Sequence, residues 1–131
     1  MAQAGMFVPC SSFEYKPYNS IYTRILGNDN IFKGLSTFTV EMSEVSTFIN
    51  NCDENSLILG DEVCSGTETS SAVSIFAAVL LWLNQRKSSH IFATHFHEVV
   101  DLEEIQQLEK LKFYHLTVRY NYETERSCMD T

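Results

Sequence analysis

Asp61 and Glu62 close a short apolar run, Leu57-Ile58-Leu59-Gly60, and His95 closes a second one, "IFAT". Successive strand residues face opposite sides, so the two acids are free to take different jobs. An apolar strand ending in Asp is the Walker B pattern, in which the carboxylate helps hold a magnesium ion that bridges nucleotide phosphates. A Glu directly after it can orient and polarise the water that attacks the terminal phosphate. A His just past a neighbouring strand can donate to a γ-phosphate oxygen and register its loss. Ser36 and Thr37 open a third stretch, "STFTVEMSE", where hydroxyls and free N–H groups at a helix start suit an anion.

Each feature also has a plainer reading. An acid pair after a strand can cap the next helix or sit in solvent, a strand-end His can be satisfied by its neighbours, and Ser36 and Thr37 can be ordinary caps. Two strands that deliver reactive groups to one edge favour nucleotide hydrolysis. A competing set is His95, His97 and Glu98 with Asp61 around zinc or manganese. The two-residue spacing of the histidines suits ligands on one strand face, but the chain should be leaving the strand there and no further His is well placed.

These groups need a scaffold. Residues 18–25, "YNSIYTRI", read as a strand, and Gly27 to Gly34 as turn chemistry. From Thr37 to Ile49, Phe38, Met42, Val45 and Phe48/Ile49 form one helical stripe, although several β-branched residues weaken it. Ser56 to Gly60 reads as a strand buried on both faces. Residues 67–84 suit a helix that is apolar nearly all round and covered on several sides. "HIFAT" at 90–94 is another short buried strand. Asp101 is expected to cap a helix carrying Leu102, Ile105, Leu108 and Leu111, and residues 111–123 suit an outer strand. The first nine residues, "MAQAGMFVP", read as the tail of a helix. Helices alternating with strands give an α/β fold with a mostly parallel sheet. It forms one domain over residues 1–131.

The totals agree with a globular domain: 131 residues, 44% hydrophobic and 20% charged. The 17 acids against 9 bases leave a formal charge of −8, which repels a phosphate backbone, so this segment is not expected to be a nucleic-acid surface. The four cysteines, at 10, 52, 64 and 128, include no CxxC pair, which disfavours a zinc knuckle. No Lys or Arg precedes Lys16, so no secretory signal is expected. The longest apolar run, 72–83, is too short for a membrane span of about 20 residues. An intracellular, soluble protein without a membrane partner is the expectation.

Taken in order, "MAQAGMFVPC", "GLSTFTVEMSE", "SLILGDEVCSGTETS" and "IFATHFHE" resemble the ATPase domain of the MutS family of DNA mismatch-repair proteins. They look like its segment after the phosphate-loop helix, its signature segment, its Walker B with D-loop, and its switch-histidine segment. The resemblance covers almost the whole chain. It implies a P-loop NTPase-like (ABC-type) three-layer domain with ATP and Mg2+ as nucleotide and metal. Asp61 would assist magnesium, Glu62 would activate water, and His95 would sense the γ-phosphate. Gln3 would approach the nucleotide. The family pairs two ATPase domains head to tail, in a homo- or heterodimer. That pairing would give Ser36 and Thr37 a role in the partner's site and set Gly66 and Thr67 at the interface. Mismatched double-stranded DNA would be gripped by upstream domains, with nucleotide state coupled to that grip.

The chain departs from the family in two ways. The family usually has Gly-Arg where this chain has Cys64-Ser65, so the contact that Arg makes is not carried over; the wording suggests a divergent branch, of the kind seen in giant viruses and coral mitochondria. The phosphate loop, G-x-x-x-x-G-K-[ST], does not occur in these residues, and "GNDNIFKG" has its Lys before the second Gly. The chain therefore reads as the C-terminal part of an ATPase domain that lacks the P-loop strand and helix, expected to hydrolyse ATP negligibly by itself. A non-catalytic dimerisation fragment is the alternative to an ATPase part.

Overall fold

The computed structural model describes residues 1–25, 37–121 and 126–130. The chain runs β1 (Ser20–Arg24), α1 (Thr37–Asn51), β2 (Ser56–Asp61), α2 (Thr69–Arg86), β3 (Ser89–Ala93), α3 (Glu103–Gln106), β4 (Thr117–Asn121) and β5 (Arg126–Asp130). The first three strands form a parallel sheet in the order β1-β2-β3, with Ser20 opposite Ser56 and Leu57 opposite Ser89. Two successive parallel connections of the same hand put both crossover helices on one face. The core agrees: Val45 and Phe48 of α1, with Cys52 just after it, pack with Ile58 of β2 and with Ala72, Phe76, Val79, Leu80 and Leu83 of α2. The described residues thus supply the sheet and one helical layer.

That one-sided cover corrects the expectation that β2 is buried on both faces. Burial alternates along the strand: Ser56, Ile58 and Gly60 are buried, whereas Leu57, Leu59 and Asp61 are partly open. Ile21 and Ile91, aligned through the register with Leu57 and Leu59, are exposed. On the covered face the packing is tight at Gly60. A Cβ there would stand 2.3 Å from a ring carbon of Phe92 and 2.7 Å from Val63, which no real contact tolerates.

α1 forms in spite of its β-branched residues because it buries Val45 and Phe48 against the sheet and α2, with Cys52 buried just past its end. It ends where Asp53 takes over the backbone, accepting from the Asn55 N–H at 2.9 Å and from the Ser56 hydroxyl at 2.8 Å. α2 closes at Lys87, whose left-handed φ of 58° lets its N–H reach back into the last turn.

Three further expectations are corrected. The helix expected from Asp101 is instead a short 3-10 segment, His97–Asp101, followed by the four-residue α3. The apolar residues at 102, 105, 108 and 111 are spaced by three throughout, and the N–H groups of Ile105, Leu108 and Leu111 each bond to the carbonyl three residues back. A strict period of three is that of 3-10 turns, not of an α-helix. The expected outer strand at 111–123 begins only at Thr117 and pairs antiparallel with β5 in a separate two-stranded sheet. The first residues hold a three-residue 3-10 turn, Ala2–Ala4, which Gly5 ends at φ 76°.

Candidate active site

At the carboxyl edge of the sheet the β2–β3 ladder continues one residue past Asp61. The Glu62 N–H donates to the Ala93 carbonyl at 2.9 Å. This bond levels Glu62 with the end of β3, two residues before His95. Glu62 then turns sharply, with φ 49°, and Cys64 follows at φ 72°. Left-handed geometry at a non-glycine residue costs on the order of 1–3 kcal/mol and persists only where the surroundings hold it. Here Val63 is fully buried between the two residues, and the Cys64 N–H donates to Glu41 Oε1 at 2.6 Å.

The outcome is a pair of side chains in reach of each other. His95 Nδ1 lies 3.8 Å from Glu62 Oε1, both half-exposed. An exposed pair of this kind contributes about 0–1 kcal/mol, less than the strain at Glu62 and Cys64. The contact is therefore not what holds the turn; the turn is held from below and presents the carboxylate to solvent. Phe96, in ring contact with His95 at 4.5 Å between centroids, is buried and anchors that end of β3. Asp61 pairs with Ala93 in the ladder and is partly exposed at the same edge. A hard, partly hydrated carboxylate of this kind suits Mg2+, which takes one or two protein oxygens and completes its shell with water and phosphate.

The other expected site residues fall elsewhere. Gln3 stands apart from Glu62 and His95. Its amide is spent on the backbone of Tyr18, donating to the carbonyl at 2.7 Å and accepting the N–H at 2.9 Å. Tyr18 precedes β1 by two residues, so Gln3 is bonded at the amino edge of the sheet, while Asp61 lies at the carboxyl edge, roughly 23 Å further along at about 3.3 Å per strand residue. Gly66 and Thr67 lie in the turn before α2. Gly66 packs against the first turn of α1, where an added Cβ would meet the Phe38 backbone at 3.4 Å. Thr37 begins α1. Ser36 and the 27–34 turn lie outside the described residues. Among the described residues no three His, Cys, Asp or Glu side chains come together as a metal-binding group. No helix among them is long and apolar enough to cross a membrane.

Sequence reasoning missed Glu41 and Arg24. Glu41 is 1% exposed, and Arg24 Nε approaches Glu44 at 3.0 Å and Glu41 at 3.8 Å. The available signal was the spacing: Glu41 shares the stripe of Val45 and Phe48, at i, i+4 and i+7.

The comparisons with known proteins add the family. Residues 1–129 match MutS domain V. This chain belongs to the MutS family. Its fold is accordingly the P-loop NTPase-like fold of that domain, consistent with the parallel sheet and crossover helices. It is 42% identical over 132 aligned residues to a putative DNA mismatch repair protein mutS homolog of Acanthamoeba polyphaga mimivirus, covering 98% of this chain and 12% of that protein. It is 44% identical over 118 residues to the mitochondrial DNA mismatch repair protein mutS homolog of Sarcophyton glaucum, covering 90% and 12%. Against the DNA mismatch repair protein MutS of Methanosarcina mazei it is 42% identical over 122 residues, covering 91% and 13%. The chain thus spans about an eighth of the length of these relatives.

Cys64, beside the candidate site, is a poor thiol nucleophile. Burial, with the Glu41 carboxylate adding to it, pushes its pKa up from 9.0 to about 11. At pH 8 a maleimide is expected to label the exposed Cys10 and leave Cys64 unmodified, as read by peptide mass spectrometry; labelling of both at equal rates would contradict the packing of the turn. The folded chain binds the Cys64 proton more tightly than the unfolded chain does. Its contribution to stability is therefore complete below pH 9 and is lost as pH rises towards 11.

Proposed function

We propose that this chain is the catalytic-edge part of a MutS-type ATPase that couples ATP binding and hydrolysis to the binding of mismatched DNA in mismatch repair. The observation that carries this reading is the convergence of Asp61, Glu62 and His95 on one sheet edge, with Glu62 and His95 3.8 Å apart. Glu62 accepts the proton of the attacking water, which needs an ionised carboxylate in hydrogen-bonding reach. His95 donates to the terminal phosphate beside Glu62. Asp61 is the residue that would hold Mg2+, which would supply charge neutralisation on the phosphates. Ser36 and Thr37, with Gly66 and Thr67, are assigned to a head-to-tail contact with a second MutS-type subunit. The charge of −8 fits an ATPase end that stands away from DNA, whose grip belongs to other domains of the full-length protein.

The phosphate-cradling loop is not in these 131 residues, so the chain alone is expected to turn over ATP negligibly. Catalysis in phosphoryl transfer is mostly positioning and electrostatics, and both need that loop. In the full-length gene product, Asp61→Asn is expected to raise the Mg2+ concentration for half-maximal ATP turnover by about tenfold or more, since a neutral amide is a weaker partner for a hydrated dication. A magnesium titration of the steady-state rate measures this. An unchanged midpoint would remove Asp61 from the metal site.

A further inference from the structure

Glu41 is a buried carboxylate that neither the fold nor the chemistry above accounts for. It is 1% exposed and sits on α1, yet its Oε1 accepts the Cys64 N–H at 2.6 Å, from the turn that follows β2. Its Oε2 has no hydrogen-bond partner among the described residues and stands 3.3 Å from where a Cβ of Gly66 would be. Arg24 does not explain it as an ion pair. The guanidinium Nε is 3.8 Å from Glu41 but 3.0 Å from the more exposed Glu44, and Nη1 is spent on the Ile25 carbonyl at 2.8 Å. Burying a carboxylate with one strong bond and one bare oxygen is unfavourable for stability, so the bond it does make is the feature to explain. The bond falls two residues after Glu62, in the segment with left-handed φ at Glu62 and Cys64. The 62–65 turn is closed by the Ser65 N–H to the Glu62 carbonyl at 3.2 Å, a long bond, so the 2.6 Å bond to Glu41 is the stronger fixture.

We infer that Glu41 is a positioning residue: by gripping the Cys64 N–H it fixes the strained turn that aims the Glu62 carboxylate at the reacting water. This rests on the proposed role of Glu62 and extends it. The test compares two conservative variants of the full-length gene product. Glu41→Gln loses the charge but keeps an oxygen that can accept from Cys64. Glu41→Asp keeps the charge facing Arg24 but is shorter by one methylene, about 1.5 Å, which stretches the 2.6 Å contact beyond hydrogen-bonding reach. Glu41→Gln is expected to keep kcat for ATP within about threefold of wild type. Glu41→Asp is expected to lose about tenfold to a hundredfold in kcat, with KM within about twofold in both, as misplacement of a catalytic group by an ångström does. A residue serving only the ion pair would give the reverse order. Glu41→Asp matching or exceeding Glu41→Gln overturns the inference, and so does a fall in kcat tracked by KM, or failure of both variants to fold. Glu62→Gln in the same assay separates the two levels. If it retains turnover, the role of Glu62 itself is wrong; if it loses turnover while the Glu41 order is reversed, only the positioning role falls.

Discussion

Glu62→Gln in the full-length gene product is expected to lower ATP turnover by about 10²–10⁴, the usual contribution of a general base, while ATP affinity stays within about twofold. The amide has the shape of the carboxylate and can still accept a hydrogen bond, but it cannot take a proton from water. The side chain is half-exposed and its contact with His95 is 3.8 Å long, so the swap removes little stability. The backbone that sets its direction is held by Ala93 and Glu41, neither of which the substitution touches. The effect should therefore appear in kcat alone. Single-turnover hydrolysis alongside equilibrium nucleotide binding separates the two quantities, and turnover within about threefold of wild type would show that another group activates the water.

Phe76→Ala is the largest stability effect expected, about 3–5 kcal/mol, the range for removing a buried aromatic ring and leaving its cavity. Phe76 is 2% exposed in the middle of α2. Its ring meets Phe92 edge-on, at 5.4 Å and 87°, and Phe96 at 6.3 Å. Those two rings flank Ala93, Thr94 and His95, so the loss loosens the end of β3 as well as the core. Native-state hydrogen exchange on the α2 amides of the full-length protein reads the opening free energy of this region directly. A loss below about 1 kcal/mol would mean that neighbouring side chains collapse into the space, contrary to the rigid sheet-backed packing.

The central elements were legible because their signals are local. The run Leu57–Gly60, bounded by turns, and the stripe on α1 each follow from one period of hydrophobicity, and α2 follows from its length. The convergence of Glu62 and His95 was legible too, since two parallel neighbours must end at one edge. Which face of β2 is covered was not legible: alternation in burial appears only once both helices are known to lie on one side, and Leu57 and Ile58 read alike. The segment after Asp101 misled because leucines spaced by three fit a helix and a chain of 3-10 turns equally well over so short a span. β4 starts at Thr117 and stands outside the main sheet, paired antiparallel with β5 close behind it in the chain, and apolar alternation within 111–123 does not say which strand that segment pairs with. Gln3 was carried to the nucleotide by family resemblance; in the structure its amide donates to and accepts from the backbone of Tyr18, at the amino edge of the sheet. Glu41 shares its stripe with Val45 and Phe48, but a carboxylate on a helix is normally solvated, and its partner, the Cys64 N–H, arrives from another segment.

The most direct test is a structure of the full-length gene product with Mg2+ and a non-hydrolysable ATP analogue. The terminal phosphate is expected at about 3 Å from a ring nitrogen of His95, with Asp61 bound to the magnesium ion or to its water shell and a water molecule between Glu62 and the phosphorus. A triphosphate bound away from the carboxyl ends of β2 and β3, with Glu62 and His95 facing solvent, would contradict the assignment.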